Sequence, residues 1–192
     1  ETVVVSTGQH REQLDQVFTA FGFEADRDLA IMQPRQTLTD IMVRALSGLD
    51  ALLAEERPDL VLVHGDTSTT AAGALAAFYH KIPVGHVEAG LRTFDKYNPY
   101  PEEINRRITG IIADIQFAPT PRAREHLIAE HIDPETIFVT GQTGVDAALT
   151  VLSQPHTFSV PALRDIDFDR YRVVVMTAHR RENLGEPMHN MF

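Results

Sequence analysis

Residues 38–64 read LTDIMVRALSGLDALLAEERPDLVLVH, and the fold follows from the change of period halfway along that stretch. Leu38, Ile41, Met42, Ala45, Leu46, Leu49, Leu52 and Leu53 recur at three-and-four spacing, which predicts a helix over 38–56 with one apolar stripe turned to a sheet. Thr37 is its N-cap, and Asp40 three residues on completes a box-like start. Pro58 stops the segment, and 59–64 then reads as a short buried strand. A helix feeding a β-branched run through a short break is one half of a βαβ unit.

The same alternation continues in both directions. Strands are predicted at 2–6, 83–88, 115–118, 136–140 and 171–177, and helices near 11–21, 68–80, 102–113, 122–130 and 144–152. Strands separated by helices belong to parallel sheets with right-handed crossovers, so the fold class is α/β, a Rossmann-like doubly wound parallel sheet. Residues 1–153 make the first such domain. Residues 154–169, with Gln154-Pro155, Val160-Pro161 and several Asp, read as a linker, and 170–192 as the start of a second domain. The opening lacks Met and lies in a strand, and the end follows a single strand, so the chain is expected to be a piece of a longer protein.

Composition excludes several function classes. With 43% hydrophobic residues and 192 positions the chain can bury a core. Apolar runs such as 60–63 and 173–176 fall far short of the roughly 20 residues that cross a bilayer, so a soluble, cytoplasmic protein without membrane contact is expected. Zero cysteines exclude disulfides and thiolate metal sites. Seventeen Lys and Arg against 27 Asp and Glu leave a net charge of −10, which repels a nucleic acid backbone. A small anionic ligand remains compatible with local cation clusters, of which Arg106-Arg107 and His179-Arg180-Arg181 are the two candidates.

In an open α/β sheet ligands bind beyond the carboxyl ends of the strands. Three carboxylates meet that condition: Asp66 after the strand ending at His64, Glu88 at the end of 83–88, and Glu102 opening a helix after Pro101. Taken alone, Asp66 reads first as a cap for the next helix and Glu102 as a complement to a helix dipole. Glu88, followed by Ala89 and Gly90, tilts toward a functional carboxylate. His64 with Asp66 and His86 with Glu88 also sit at i and i+2 on extended strands, which permits a rival reading as a divalent metal site of a hydrolase. Core histidines bonded to the backbone explain the same spacing. His179-Arg180-Arg181-Glu182-Asn183, after a strand and opening a helix, reads either as a diphosphate site or as a solvated charge run.

Taken together the motifs are specific. Val63-His64-Gly65-Asp66-Thr67, Gly85-His86-Val87-Glu88-Ala89-Gly90-Leu91-Arg92-Thr93, Pro101-Glu102-Glu103-Ile104-Asn105-Arg106 and Thr177-Ala178-His179-Arg180-Arg181-Glu182-Asn183 resemble, in order and spacing, the non-hydrolysing UDP-N-acetylglucosamine 2-epimerases. Gly8-Gln9-His10-Arg11-Glu12 and Thr140-Gly141-Gln142-Thr143 fit as well. The resemblance implies a two-domain enzyme of the glycosyltransferase-B type, homodimeric, with UDP-sugar held between two Rossmann-like halves. It implies an isomerase of polysaccharide biosynthesis that needs no cofactor or metal. Asp66, Glu88 and Glu102 match its catalytic carboxylates, and Arg106 and His179 match residues that hold the substrate. Gln9, Arg35 and Arg180 look similar to an allosteric site where a second substrate molecule acts as activator, although Glu12 stands where some members carry Gln. The family's opening strand and Gly-Thr-Arg-Pro-Glu turn, and its uridine-binding segments, are absent from this sequence, so the chain alone is expected to be inactive. The hydrolysing epimerase, a retaining glycosyltransferase on the same fold and a non-catalytic sugar-nucleotide sensor are the alternatives.

Overall fold

In a computed structural model, which describes residues 1–8, 11–176 and 185–191, the chain divides into two units, Glu1–Ser153 and Gln154–Phe192. The first unit alternates as the sequence predicts: β1 (Val5–Ser6), α1 (Arg11–Phe21), β2 (Arg27–Asp28), α2 (Leu38–Glu56), β3 (Val61–His64), α3 (Ser68–Tyr79), β4 (Val84–Val87), α4 (Glu102–Ile112), β5 (Ile115–Ala118), α5 (Pro121–Ala129), a 3-10 turn at Pro134–Thr136, β6 (Ile137–Val139) and α6 (Thr143–Leu152). Among the described residues every strand pairing is parallel, in two sheets ordered β1-β2 and β3-β4-β5-β6. This is the expected α/β, Rossmann-like class.

Helix α2 keeps the predicted bounds because its local signals agree. Thr37 accepts from the Asp40 amide at 3.1 Å while the Asp40 carboxylate accepts from the Thr37 amide at 2.8 Å, a reciprocal capping box. Its stripe packs on α3, where Ala71, Ala72, Ala74, Ala76 and Ala77 are all buried. Small side chains let α3 lie close to both α2 and the sheet. Leu53, Ala74, Ala76, Ala77 and Val84 form one core cluster, and Ala89, Ala118, Ala123, Leu127 and Ile137 another around α5. On β4, Val84, Gly85 and His86 are buried in succession, the sign of a strand covered on both faces.

Two readings of the sequence need correction. Strand β2, at Arg27–Asp28, was not expected, because two charged residues carry no β pattern and only the pairing with Val5 and Ser6 makes it a strand. Conversely, the predicted strand at 171–177 is no strand over its described residues 171–176, although Val173, Val174 and Val175 favour that state. A strand exists only through a partner edge, and none occurs among the described residues of the second unit. Among its described residues that unit holds two short helices, α7 (Pro161–Arg164) and α8 (Glu186–Met191), and a stacked Phe158–Phe168 pair. Among the described residues, no helix is long and apolar enough to cross a membrane.

The register sets up the site. His64 pairs with Val87, Val87 with Phe117 and Phe117 with Phe138, so the carboxyl ends of β3 to β6 line one edge. The segments that leave this edge carry Asp66, Glu88 and Gln142, and the loop out of β4 returns at the first turn of α4 with Glu102.

Candidate active site

Asp66 is not the cap of α3. Thr67 takes that role, its hydroxyl accepting from the Thr70 amide at 3.2 Å, which leaves the Asp66 carboxylate free for other work. The carboxylate instead accepts from Arg106 Nη2 at 2.6 Å, and the Asp66 carbonyl accepts from Asn105 Nδ2 at 3.0 Å. Burial pushes the Asp66 pKa up; Arg106 opposes the rise, and the carboxylates of Glu102 and Glu88 add to it. The three acidic side chains are therefore close enough for two of them to act electrostatically on the third.

Glu88 sits directly after β4 with φ +67°, a left-handed conformation that costs a non-glycine residue about 1–3 kcal/mol and persists only where neighbours hold it. Those neighbours are visible. Gly65 N–H donates to the Val87 carbonyl at 2.9 Å and Ala89 N–H to the Phe117 carbonyl at 3.0 Å, clamping the chain on either side of Glu88. Gln142 Nε2 donates to Glu88 Oε2 at 2.7 Å, and His64 Nε2 lies 3.7 Å from the same oxygen. Glu88 Oε1 would lie 3.9 Å from a Cβ placed on Gly65, so the β3 and β4 exits touch.

Glu102 opens α4 behind Pro101, which offers no side-chain cap, and together with Glu103 it places negative charge in the first turn. The dipole reading thus holds alongside the functional one. Glu102 Oε2 is buried and has no hydrogen-bond partner among the described residues, an arrangement that suits a group awaiting a ligand. One turn on, Arg106 projects from the same helix to reach Asp66.

The histidines divide. His86 is completely buried, and burial pushes its pKa down to about 4, so its ring is neutral at physiological pH. Nε2 lies 2.8 Å from the Gly65 carbonyl, which only accepts, so Nε2 carries the proton and the ring pins the loop that bears Asp66. No group of three or more metal-ligating side chains occurs among the described residues.

This histidine makes stability depend on pH with a defined sign. Folding lowers its pKa from an ordinary 6.5 to about 4, so the unfolded chain binds more protons between those values. The contribution is complete above pH 6.5 and is lost as pH falls through 4, amounting to about 3 kcal/mol. Chemical denaturation near pH 7 and near pH 4.5 should show the parent losing more stability on acidification than His86→Asn; equal losses contradict this account.

Of the remaining sequence candidates, Arg35 is exposed in the turn before α2 and makes no side-chain hydrogen bond or ion pair among the described residues. Gln9, His179 and Arg180 lie outside the described residues. Sequence reasoning passed over Gln142 as a site residue. It stands 54 positions from its partner Glu88, and its location just beyond β6 on the same sheet edge was the available signal.

The sequence pattern of the UDP-N-acetylglucosamine 2-epimerases matches residues 1–192. The chain belongs to that family. A UDP-N-acetylglucosamine 2-epimerase of Bacillus subtilis is 54% identical over 192 residues, covering 100% of this chain and 50% of the relative. The solved UDP-GlcNAc 2-epimerase of Neisseria meningitidis, bound to UDP-GlcNAc, superposes with a TM-score of 0.74 at 51% identity over 78% of this chain and 41% of its own. MnaA of S. aureus, crystallised with UDP, gives a TM-score of 0.86 at 44% identity, over 100% and 49%. This epimerase-family chain thus spans about half the length of the relatives it matches.

Proposed function

We propose that this chain carries the catalytic acids of a non-hydrolysing UDP-N-acetylglucosamine 2-epimerase. In that reading it interconverts UDP-N-acetylglucosamine and UDP-N-acetylmannosamine in the cytoplasm, as part of a homodimer without cofactor or metal. Residues 1–153 form the N-terminal domain, 154–169 the linker and 170–192 the start of the second domain. The observation that carries the reading is the meeting of Asp66, Glu88 and Glu102 from three separate segments, with the Asp66 pKa raised by burial and by the other two. Family membership and relatives crystallised with UDP-GlcNAc and with UDP support the substrate.

Inversion at C2 requires a proton to leave one face of the sugar and return to the other, so acid/base groups must reach both. In the first half, the C1–O bond breaks, UDP departs with the bonding pair, and a carboxylate takes the C2 proton, leaving 2-acetamidoglucal. In the second half, a proton is delivered to the opposite face of C2 and the UDP oxygen re-forms the bond to C1. Glu88 and Glu102 make the two exchanges. Asp66, pinned by Arg106, stabilises positive charge on the ring. Arg106 and His179 hold the substrate, and retention of UDP matters because escape wastes the intermediate. Gln9, Arg35 and Arg180 form the activator site for a second substrate molecule.

Chromatography of the products distinguishes this from the hydrolysing reaction. A polypeptide of the relatives' full length that carries this sequence should yield UDP-N-acetylmannosamine with the nucleotide still attached. Stoichiometric free N-acetylmannosamine and UDP would assign the hydrolysing reaction instead.

A further inference from the structure

Glu103 is the most deeply buried carboxylate among the described residues of the first unit. It is completely buried, and nothing in the chemistry above uses it. Oε2 accepts from the Thr93 amide at 3.1 Å and Oε1 from the Phe94 amide at 3.2 Å, while Arg106 Nη1 stands 3.7 Å from Oε2. An ionised carboxylate so deep is costly unless it is fully satisfied, and two backbone amides with a guanidinium meet that need.

Both ends of this arrangement lead to the site. Arg106 lies between two acids, Nη1 toward Glu103 and Nη2 on Asp66, so its planar group is held from both sides. The 93–94 backbone belongs to the segment that leaves Glu88, and that segment is tied again where Arg92, with a fully buried side chain, grips both oxygens of Glu130 at 2.9 and 2.7 Å. A single buried anion therefore joins the Asp66 partner to the Glu88 loop, from the position next to Glu102.

We propose that Glu103 is a positioning residue, which fixes the Arg106 guanidinium and the 93–94 backbone and through them the mutual placement of Asp66 and Glu88. The inference rests on the epimerase reading and goes beyond it by giving a task to a side chain that never meets the sugar. Glu103→Gln keeps the shape but turns an amide NH2 toward backbone N–H groups and removes the charge that balances Arg106. Displacement of reacting groups by a fraction of an ångström to an ångström reduces rates on the order of 10- to 100-fold, which is the expected fall in kcat, with KM changed less than about threefold.

The test is a double-mutant cycle in a polypeptide of the relatives' full length, read as kcat for C2 exchange per folded enzyme. If Glu103 acts through Arg106 and Asp66, Glu103→Gln loses most of its effect in an Asp66→Asn background, to less than about threefold. A merely structural residue would lower the yield of folded protein and leave the two rate losses multiplicative. That result, or an unchanged kcat in Glu103→Gln, overturns the proposal. Should Glu103→Gln not fold, Glu103→Asp, which keeps the charge on a shorter arm, is put through the same cycle, and failure of both to fold makes Glu103 a folding element and overturns the proposal too. A parent without C2 exchange sinks the epimerase reading and this inference with it, whereas an active parent with additive losses sinks this inference alone.

Discussion

Glu88→Gln and Glu102→Gln each lower turnover on the order of 10²- to 10⁴-fold in a polypeptide of the relatives' full length, while UDP binding changes less than about threefold. The argument is one of geometry. Glutamine keeps the length and most of the hydrogen bonding of glutamate but cannot take or give a proton at C2. Glu88 loses little structurally on substitution, since Gln142 Nε2 can still donate to the amide oxygen. Glu102 loses still less, because its buried Oε2 has no partner among the described residues. Steady-state rates and UDP titration calorimetry check both halves. Loss of UDP affinity in step with turnover would show that the side chains hold the ligand and do not process it.

Gly90→Val prevents folding or destabilises the protein by about 3–5 kcal/mol, the sum of overpacking and a strained backbone. Gly90 has φ +87°, where a side chain is disfavoured, and a Cβ there would stand 2.2 Å from the Ala123 carbonyl oxygen and 2.8 Å from its carbon. Those atoms belong to the first turns of α5, which cannot retreat because Leu127, on the same helix, is fully buried in the core. The Gly90 carbonyl also lies 2.9 Å from His126 Nδ1, so the loop is held in place while the new side chain pushes it away. Against a typical total of about 5–15 kcal/mol, such a loss is large. Urea denaturation measures it, and a midpoint within experimental error of the parent would contradict the close approach.

Local chemistry was legible in the sequence, and pairing at a distance was not. Helix α2 took its predicted bounds because stripe, capping box and Pro58 all act within a few residues. The 171–176 segment misled for the opposite reason: Val173 to Val175 have strand preference, but preference does not supply an edge to bind. Strand β2 is the mirror case, two charged residues made into a strand by Val5 and Ser6. At the site, strand ends marked Asp66, Glu88 and Glu102 as candidates. Taken alone, however, Asp66 and Glu102 read first as a helix cap and a dipole complement, and it was the family resemblance that raised them to catalytic candidates. Their supports were hidden. Gln142 is remote in sequence from Glu88, and Glu103 stands beside Glu102 with the same charge, so only the fold shows that Glu103 is wholly buried and tied to the Thr93 and Phe94 amides.

Proton exchange at C2 is the most direct test of the claim that the three gathered carboxylates work on one sugar ring. The measurement supplies UDP-N-acetylglucosamine in heavy water to a polypeptide of the relatives' full length carrying this sequence and follows C2 by nuclear magnetic resonance. The account predicts deuterium at C2 of the product, and its loss in Glu88→Gln and Glu102→Gln. Epimerised product that retains its original hydrogen, or exchange that survives in both variants, would contradict it.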